Sequence, residues 1–192
     1  RTGGRLDAVF HNGAYAIPAP VEDVPLAAMR AIFEANFFGW HELTRQIVPV
    51  MRGQGAGRIV FCSSILGFIP TKYRGAYIAT KHAVEGYADT LRLELRGTGI
   101  AVSLLEPGPI DTPFRANAIR QFERWIDWEA SVLADEYRAH LLDRLYKGSG
   151  DSRFQLPPSA VTAALRNAIE SPRPKARYRI TVPTRAMALA RR

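Results

Sequence analysis

Four short apolar runs, each ending abruptly in small or polar residues, divide the chain at intervals. They cover residues 6–12, 57–64, 99–109 and 177–183. An apolar run of this length between turn residues is typical of a buried strand. The last run ends at Pro183, which lacks the backbone N–H that a strand needs. We therefore predict four strands.

Helical spacing of apolar residues fills the gaps between these runs. After Asp23, a candidate N-cap, apolar residues recur at helical spacing, which predicts one long helix over residues 25–51. The same spacing predicts helices over residues 76–97 and 160–169. The stripe of the long helix consists of Met29, Phe33, Phe37, Trp40, Leu43, Ile47 and Met51.

Alternating strands and helices predict an α/β fold with a doubly wound parallel sheet, Rossmann-like, in a single domain over residues 1–192. Ligands bind outside the carboxyl ends of the strands in such sheets. Three distinctive segments follow three of the runs there: Asn12-Gly13-Ala14, Ser63-Ser64 and Pro107-Gly108. We expect them to meet at one edge of the sheet.

Residues 112–156 do not fit a minimal sheet, because ordinary connections in α/β folds are much shorter. The segment is rich in aromatic and apolar residues, partly at helical spacing. Two interpretations remain open: a helical hairpin packed on the core, or a substrate lid that forms the wall of an apolar pocket.

Composition and charge exclude several classes of function. The net charge of +8 comes mostly from scattered arginines with no basic run, so we expect no nucleic-acid partner. The single Cys62 excludes an internal disulfide, and the four histidines have no metal-ligand spacing, so we expect no metal. We find no apolar run of membrane-spanning length and no secretory leader, and we expect a cytoplasmic location. The mixture of apolar and basic residues over 185–192 leaves two interpretations open: a solvated helix end, or a basic helix with peripheral membrane contact.

A set of spacings around Tyr77 indicates the chemistry. Lys81 follows Tyr77 by four residues and Ser64 precedes it by thirteen, with Asn36 and Asn12 further upstream. Together with "PGPIDT" after the third run, these residues resemble the classical short-chain dehydrogenase/reductase family.

The resemblance runs from about residue 6 to 112 and more loosely to 185. The segment "EPGPIDTPF", the long lid and the ending "RYRITVPT" look most similar to bacterial NADP-dependent reductases akin to retinol and 17β-hydroxysteroid dehydrogenases.

The resemblance implies an NAD(P)-dependent oxidoreductase that interconverts a carbonyl and its alcohol. Tyr77 is then the general acid, or the base in oxidation, and Ser64 holds the substrate oxygen. A free tyrosine titrates at about 10, so we expect the charge of Lys81 to lower the pKa of Tyr77. Asn36 is implied to anchor a water chain through Lys81, although a buried amide on an apolar stripe needs partners in any case.

The resemblance also implies a cofactor site and a substrate site. The segment His11-Asn12-Gly13-Ala14 stands where the family usually has Asn-Asn-Ala-Gly, and its last three residues are expected on the adenine-ribose side. Tyr77 and Lys81 are implied to reach the nicotinamide ribose. The nicotinamide is expected beside Pro107, Gly108, Ile110 and Thr112. The apolar substrate is expected beside Ser64, Leu66, Phe68, Phe114 and Trp125.

The glycine-rich dinucleotide fingerprint of the family does not precede Leu6. We therefore expect the C-terminal part of the fold, a bare edge on the first strand, and weak dinucleotide binding by the isolated chain. NADP(H) is favoured over NAD(H), although the usual selecting residue is missing. Family members often pair through the two long helices, so a homo-oligomer is expected.

Two alternatives to an active enzyme remain. The chain could be a nucleotide-sensing or scaffold protein of the same fold, or an inactive fragment of the reductase. The combination of Asn36, Ser64, Tyr77 and Lys81 favours the enzyme, because a binding module does not need all four. Hydrolysis through Ser64 is set aside, because no G-x-S-x-G elbow is present.

Overall fold

A sheet of four parallel strands forms the centre of the computed structural model, which describes residues 3–148 and 154–190. The spatial order is β1-β2-β3-β4, and each neighbouring pair is parallel. The strands are β1 (Ala8–His11), β2 (Gly57–Cys62), β3 (Ile100–Glu106) and β4 (Arg177–Arg179). Each strand lies within one of the four apolar runs, so the predicted Rossmann-like sheet is confirmed.

Helices follow the strands in the predicted alternation. They are α1 (Leu26–Phe33), α2 (Gly39–Gln54), α3 (Gly75–Glu94), α4 (Phe114–Trp125), α5 (Ala134–Glu136), α6 (Leu142–Tyr146), α7 (Ser159–Glu170) and α8 (Val182–Ala190).

Both faces of the sheet are covered, because alternate residues of a strand point to opposite faces. Ile59 and Phe61 of β2 pack with buried residues of α2 and α3. Val60 of the same strand packs with Leu105 of β3 and Ala168 of α7 on the other face. This is the doubly wound arrangement that the sequence predicted.

The predicted long helix is interrupted by a π-turn over Glu34–Phe38, which joins α1 to α2. A π-turn contains more residues per turn than an α-helix and shifts the buried face. Thr44 is therefore buried at 2% exposure, while Leu43 of the predicted stripe is 43% exposed. The buried positions are Ala28, Ile32, Asn36, Trp40, Thr44, Ile47 and Met51.

The predicted fourth strand is wrong over its second half. β4 ends at Arg179, and α8 begins at Val182 with Pro183 in its first turn. Proline fits a first helical turn because its missing N–H has no intrahelical partner there. The Thr184 N–H donates to the Thr181 hydroxyl at 3.4 Å, which supports the start of the helix.

The predicted lid segment is a layer of helices packed against α1 and the loop after β1. Besides α4, α5 and α6 it contains a second π-turn, Tyr137–Leu141. Ser131 and Tyr137 donate hydroxyl hydrogen bonds to Asp23, each at 2.8 Å. The buried side chains that this segment contributes to the packing are Ala118, Phe122, Ile126, Tyr137, Leu141 and Leu145.

Candidate active site

The four candidate catalytic residues come from three segments at the carboxyl end of the sheet. Ser64 follows β2 by two residues, Tyr77 and Lys81 lie on the first turns of α3, and Asn36 lies in the π-turn between α1 and α2. All four are buried, with exposures of 9% for Ser64, 7% for Tyr77, 1% for Lys81 and 0% for Asn36.

Ser64 is fixed by a short helical turn, Ile65–Gly67, that follows it. Its hydroxyl accepts from the Leu66 N–H at 3.1 Å. The Ile65 N–H donates to the Pro107 carbonyl at 2.8 Å, which joins the loop after β2 to the loop after β3. These bonds hold the Ser64 hydroxyl at a defined place above the sheet.

The Ser64 side chain lies close enough to Tyr77 to influence the titration of its hydroxyl. Burial raises the pKa of Tyr77 above its ordinary value, the Cys62 side chain adds to the increase, and the Ser64 side chain opposes it. From the sequence we expect Lys81 to lower this pKa, but in the structure burial is the largest influence and raises it. Tyr77 is therefore protonated at neutral pH and can act as a proton donor.

Lys81 lies beside Tyr77, with its Nζ 5.5 Å from the centre of the tyrosine ring. Nζ donates to the Cys62 carbonyl at 2.7 Å. Burial lowers the pKa of Lys81 to about 8, although the Cys62 and Glu85 side chains favour its charged form. At neutral pH the site therefore contains a buried cation.

Asn36 connects the loop after β1 to α3. Its Oδ1 accepts from the Tyr15 N–H at 3.1 Å, and its Nδ2 donates to the Tyr15 carbonyl at 2.9 Å. Nδ2 also donates to the Thr80 hydroxyl at 3.1 Å, which in turn donates to the Tyr77 carbonyl at 2.8 Å. The side chain of Asn36 thus has the structural partners that its burial requires.

A family model described as short chain dehydrogenase matches residues 1–123. The chain belongs to the short-chain dehydrogenase family. It is 39% identical over 191 residues to the uncharacterized oxidoreductase YbbO of Escherichia coli K12, covering 100% of this chain and 64% of that protein. It is 30% identical over 182 residues to human retinol dehydrogenase 8, covering 93% of this chain and 57% of that protein. The chain thus spans less than two thirds of these relatives.

Solved structures agree with this membership. A short-chain dehydrogenase from Streptomyces avermitilis is 25% identical, with a TM-score of 0.77 over 98% of this chain and 65% of that one. A protein from Beutenbergia cavernae, described as a putative NAD(P)-dependent gluconate 5-dehydrogenase with bound NADP, is 28% identical. Its TM-score is 0.62 over 83% of this chain and 57% of that one.

The loop after β1 of this short-chain dehydrogenase has an open backbone at Gly13. Asn12 and Gly13 are exposed, and no other heavy atom lies within 4 Å of the place where a Gly13 side chain would begin. Ala14 is half-buried behind them. The backbone of Gly13 is therefore accessible, whereas the Lys81 ammonium is buried.

The four residues expected beside the nicotinamide lie in different surroundings. Pro107 is tied to the Ser64 turn through its carbonyl, as described above. Gly108 lies against α8, because a side chain there would meet the Thr181 hydroxyl at 2.2 Å and that of Thr184 at 2.9 Å. Ile110 forms a bridge with Leu156, and Thr112 is exposed at the start of the lid segment. The need for glycine at position 108 is therefore explained by packing alone.

Of the five expected substrate residues, Ser64 and Phe114 lie beside Tyr77. Phe114 meets the Tyr77 ring edge-on, with 5.4 Å between ring centres. Leu66 and Trp125 pack against the same cluster as Tyr77. Phe68 instead lines a cavity of about 370 Å³ beside β4 and α8.

Sequence reasoning missed the position of Trp40 beside the candidate site. The residue was visible only as part of an apolar stripe, and the structure places it against both Lys81 and Gly13. The signal that could have found it is an indole at a buried helix position, because a buried indole N–H needs a partner.

The part of the chain that is described lacks a metal site and a membrane-spanning helix. Within residues 3–148 and 154–190, no three side chains of the types that bind metals are grouped as a metal site. No helix in these ranges has the length and apolar character to cross a membrane.

Proposed function

We propose that this short-chain dehydrogenase catalyses the reversible reduction of an aldehyde or ketone to its alcohol, with Tyr77 as general acid and base. The observation that carries the proposal is the buried group formed by the neighbouring Tyr77 and Ser64 side chains and the Lys81 ammonium. Carbonyl reduction needs a proton donor and a hydrogen-bond donor at the same oxygen.

In this proposal each side chain has one task during reduction. The Ser64 hydroxyl holds the carbonyl oxygen, and the Tyr77 hydroxyl donates its proton to that oxygen as negative charge develops there. The Lys81 ammonium stabilises the phenolate that remains, since an opposite charge nearby favours the ionised form. Asn36 holds Thr80 and the loop after β1 in place.

We further propose NADP(H) rather than NAD(H) as the cofactor, which supplies the hydride when bound. Gly13 offers an open backbone, and Lys81 offers a cation for the ribose hydroxyls. The description of the Beutenbergia cavernae structure with bound NADP supports the choice. The expectation that the isolated chain binds a dinucleotide weakly stays a prediction.

We propose that the substrate is apolar. Phe114 lies edge-on against Tyr77, and Leu66 and Trp125 pack against the apolar cluster that contains Tyr77. Pockets for apolar ligands are lined mainly by such side chains. The name of the human relative, retinol dehydrogenase 8, supports the same direction. Phe68 contacts the substrate in this proposal only if the substrate extends toward the cavity beside β4.

The test replaces Tyr77 with phenylalanine. The 192-residue chain is first titrated with NADPH and with NADH by fluorescence. Turnover of aldehydes of increasing chain length is then measured in this chain, or in a longer polypeptide that contains it and binds the dinucleotide. We expect Tyr77→Phe to lower kcat about 1000-fold, the range of general acid catalysis, without changing dinucleotide affinity.

The matched control is Tyr146→Phe, the same change at a 48% exposed tyrosine of α6. It should leave kcat unchanged. Equal turnover by the Tyr77→Phe protein would refute the proposed catalytic role, whereas dinucleotide binding without turnover of any aldehyde in the original protein would favour a nucleotide-sensing protein. Equal turnover of short and long aldehydes would refute the apolar substrate.

Pairing of two copies through the long helices also stays a proposal. Exposed apolar side chains on these helices support it: Phe38, Leu43, Val50 and Leu93.

A further inference from the structure

Trp40 contacts two parts of the candidate active site at once. The face of its ring lies 4.7 Å from the Lys81 Nζ, and its Nε1 donates to the Gly13 carbonyl at 3.2 Å. Trp40 is 7% exposed and Lys81 is 1% exposed, so the contact between ring and ammonium is shielded from water, whereas the bond to the exposed Gly13 lies at the surface. Trp40 lies on the first turn of α2, Lys81 on α3 and Gly13 in the loop after β1.

Neighbouring side chains of β1, β2 and α2 fix the position of the Trp40 ring. The His11 ring stacks against it at 5.6 Å, and the Phe61 ring lies at 6.2 Å. The Thr44 hydroxyl shares a hydrogen bond with the His11 Nε2 at 3.0 Å and donates to the Trp40 carbonyl at 2.8 Å. The indole therefore cannot move away from Lys81 without disturbing β1 and β2.

A buried ammonium needs negative potential around it, and the groups that face Lys81 provide little full charge. Cys62 of β2 has a thiol pKa raised by burial, so the thiol is neutral at pH 7. Tyr77 is protonated, as described above. His11 of β1, behind the indole, has a pKa lowered by burial to about 4 and is neutral too. Glu85, one turn further along α3, favours the charged form of Lys81, but its carboxylate also pairs with Arg177 of β4.

We propose that Trp40 is a positioning residue that keeps the buried Lys81 protonated and ties it to the loop at Gly13. The inference rests on the proposed function for its catalytic meaning, because the charge of Lys81 serves the Tyr77 phenolate. The face of an indole ring is the most favourable aromatic surface for a cation. The Cys62 carbonyl takes one Lys81 proton in a hydrogen bond, and the ring faces the same ammonium group.

The test measures Lys81 directly and needs neither dinucleotide nor substrate. The chain has four lysines, so protein labelled with ¹³C-lysine gives four Cε signals, which can be followed against pH by NMR. Lys81→Met assigns the signal. We expect the pKa of Lys81 to fall by about one unit in Trp40→Leu, because this change removes the aromatic ring. The fall should be smaller in Trp40→Phe, because a phenyl ring attracts a cation more weakly than an indole does.

A second measurement keeps the shape of the indole in case Trp40→Leu does not fold. Fluorinated tryptophan withdraws electrons from the ring face, so the pKa of Lys81 should fall stepwise as fluorine atoms are added. The matched control is Trp128→Phe, because the Trp128 ring also carries a cation, with the Arg138 guanidinium 5.2 Å away. This control should leave Lys81 unchanged.

An unchanged pKa of Lys81 in both Trp40→Leu and the fluorinated protein would overturn the inference. A fall that also occurs in Trp128→Phe would overturn it too, because the effect would then be a general loss of stability. If Tyr77→Phe loses turnover while Trp40 has no effect on Lys81, only the inference about Trp40 fails and the proposed function stands.

Discussion

Lys81 carries its charge where water hardly reaches, and this should weaken the fold. Its pKa is lowered by burial from 10.5 to about 8. Below pH 8 the lysine is protonated in the folded and the unfolded chain, and the buried charge costs the folded state free energy. Between about pH 8 and 10.5 the folded chain has lost a proton that the unfolded chain keeps, so the free energy of unfolding rises with pH.

We predict that Lys81→Met raises the free energy of unfolding at pH 7 by about 2 kcal/mol, because an uncharged side chain replaces the buried ammonium. The contribution of Lys81 to the rise between pH 8 and 10.5 should disappear. Urea unfolding at several pH values measures both effects. Lys147→Met, at an exposed lysine paired with Asp143, is the control. A Lys81→Met protein that is less stable than the original at pH 7 would contradict the prediction.

Residue identity and spacing predicted the group around Tyr77 but not its electrostatics. The positions of Ser64 and Tyr77 in the sequence predicted that they lie close together, because strand ends and helix starts meet at one edge of a parallel sheet. The direction of the Tyr77 pKa was not predictable, since it depends on how much water the lid segment and α1 exclude. The contact between Trp40 and Lys81 depends in the same way on tertiary packing.

The π-turn Glu34–Phe38 is the element that directs Asn36 toward the site. Apolar spacing predicted a continuous helix here, because no composition signal marks a π-turn. The bonds from Asn36 to Tyr15 and Thr80 require the amide to point inward at this position. The helix therefore takes up one wider turn, as π-turns at functional sites often do.

We predict that Asn36→Leu lowers the free energy of unfolding by about 3 kcal/mol, because it leaves the Tyr15 N–H and carbonyl without their partner in a buried place. Amide hydrogen exchange at Tyr15 should become faster, and urea unfolding measures the loss. Gln46→Leu, on the exposed side of α2, is the matched control and should leave both quantities unchanged. Slow exchange at Tyr15 in Asn36→Leu would show that other contacts hold this loop.

At the scale of the whole molecule, an ion network joins the last strand to the centre of the sheet. Arg177 of β4 contacts Glu106 of β3 at 2.9 Å, Glu85 of α3 at 3.1 Å and Asp89 at 2.6 Å. Arg179 also contacts Glu106, at 3.1 Å. Burial raises the pKa of Glu85 and of Glu106 above their ordinary values, and the arginines oppose the increase.

This network was invisible in the sequence, because its members lie far apart along the chain. The parallel order of the strands was predictable from local patterns, whereas the choice of charged partners depends on register. β4 aligns Arg177 with Leu104 and Arg179 with Glu106. That register brings both arginines to the carboxylate of Glu106, which is 1% exposed.

We predict that Arg177→Met lowers the free energy of unfolding by about 3 kcal/mol at pH 7, because it leaves buried carboxylates with one cation fewer. Without Arg177, the pKa values of Glu85 and Glu106 in the folded chain should rise further above those in the unfolded chain. The folded chain then keeps protons that the unfolded chain releases, so the deficit is full at neutral pH and shrinks as the pH falls toward 4. Arg45→Met, at an exposed pair with Glu42, should change nothing measurable. An Arg177→Met deficit that is independent of pH would show that Arg177 stabilises β4 by packing rather than by charge.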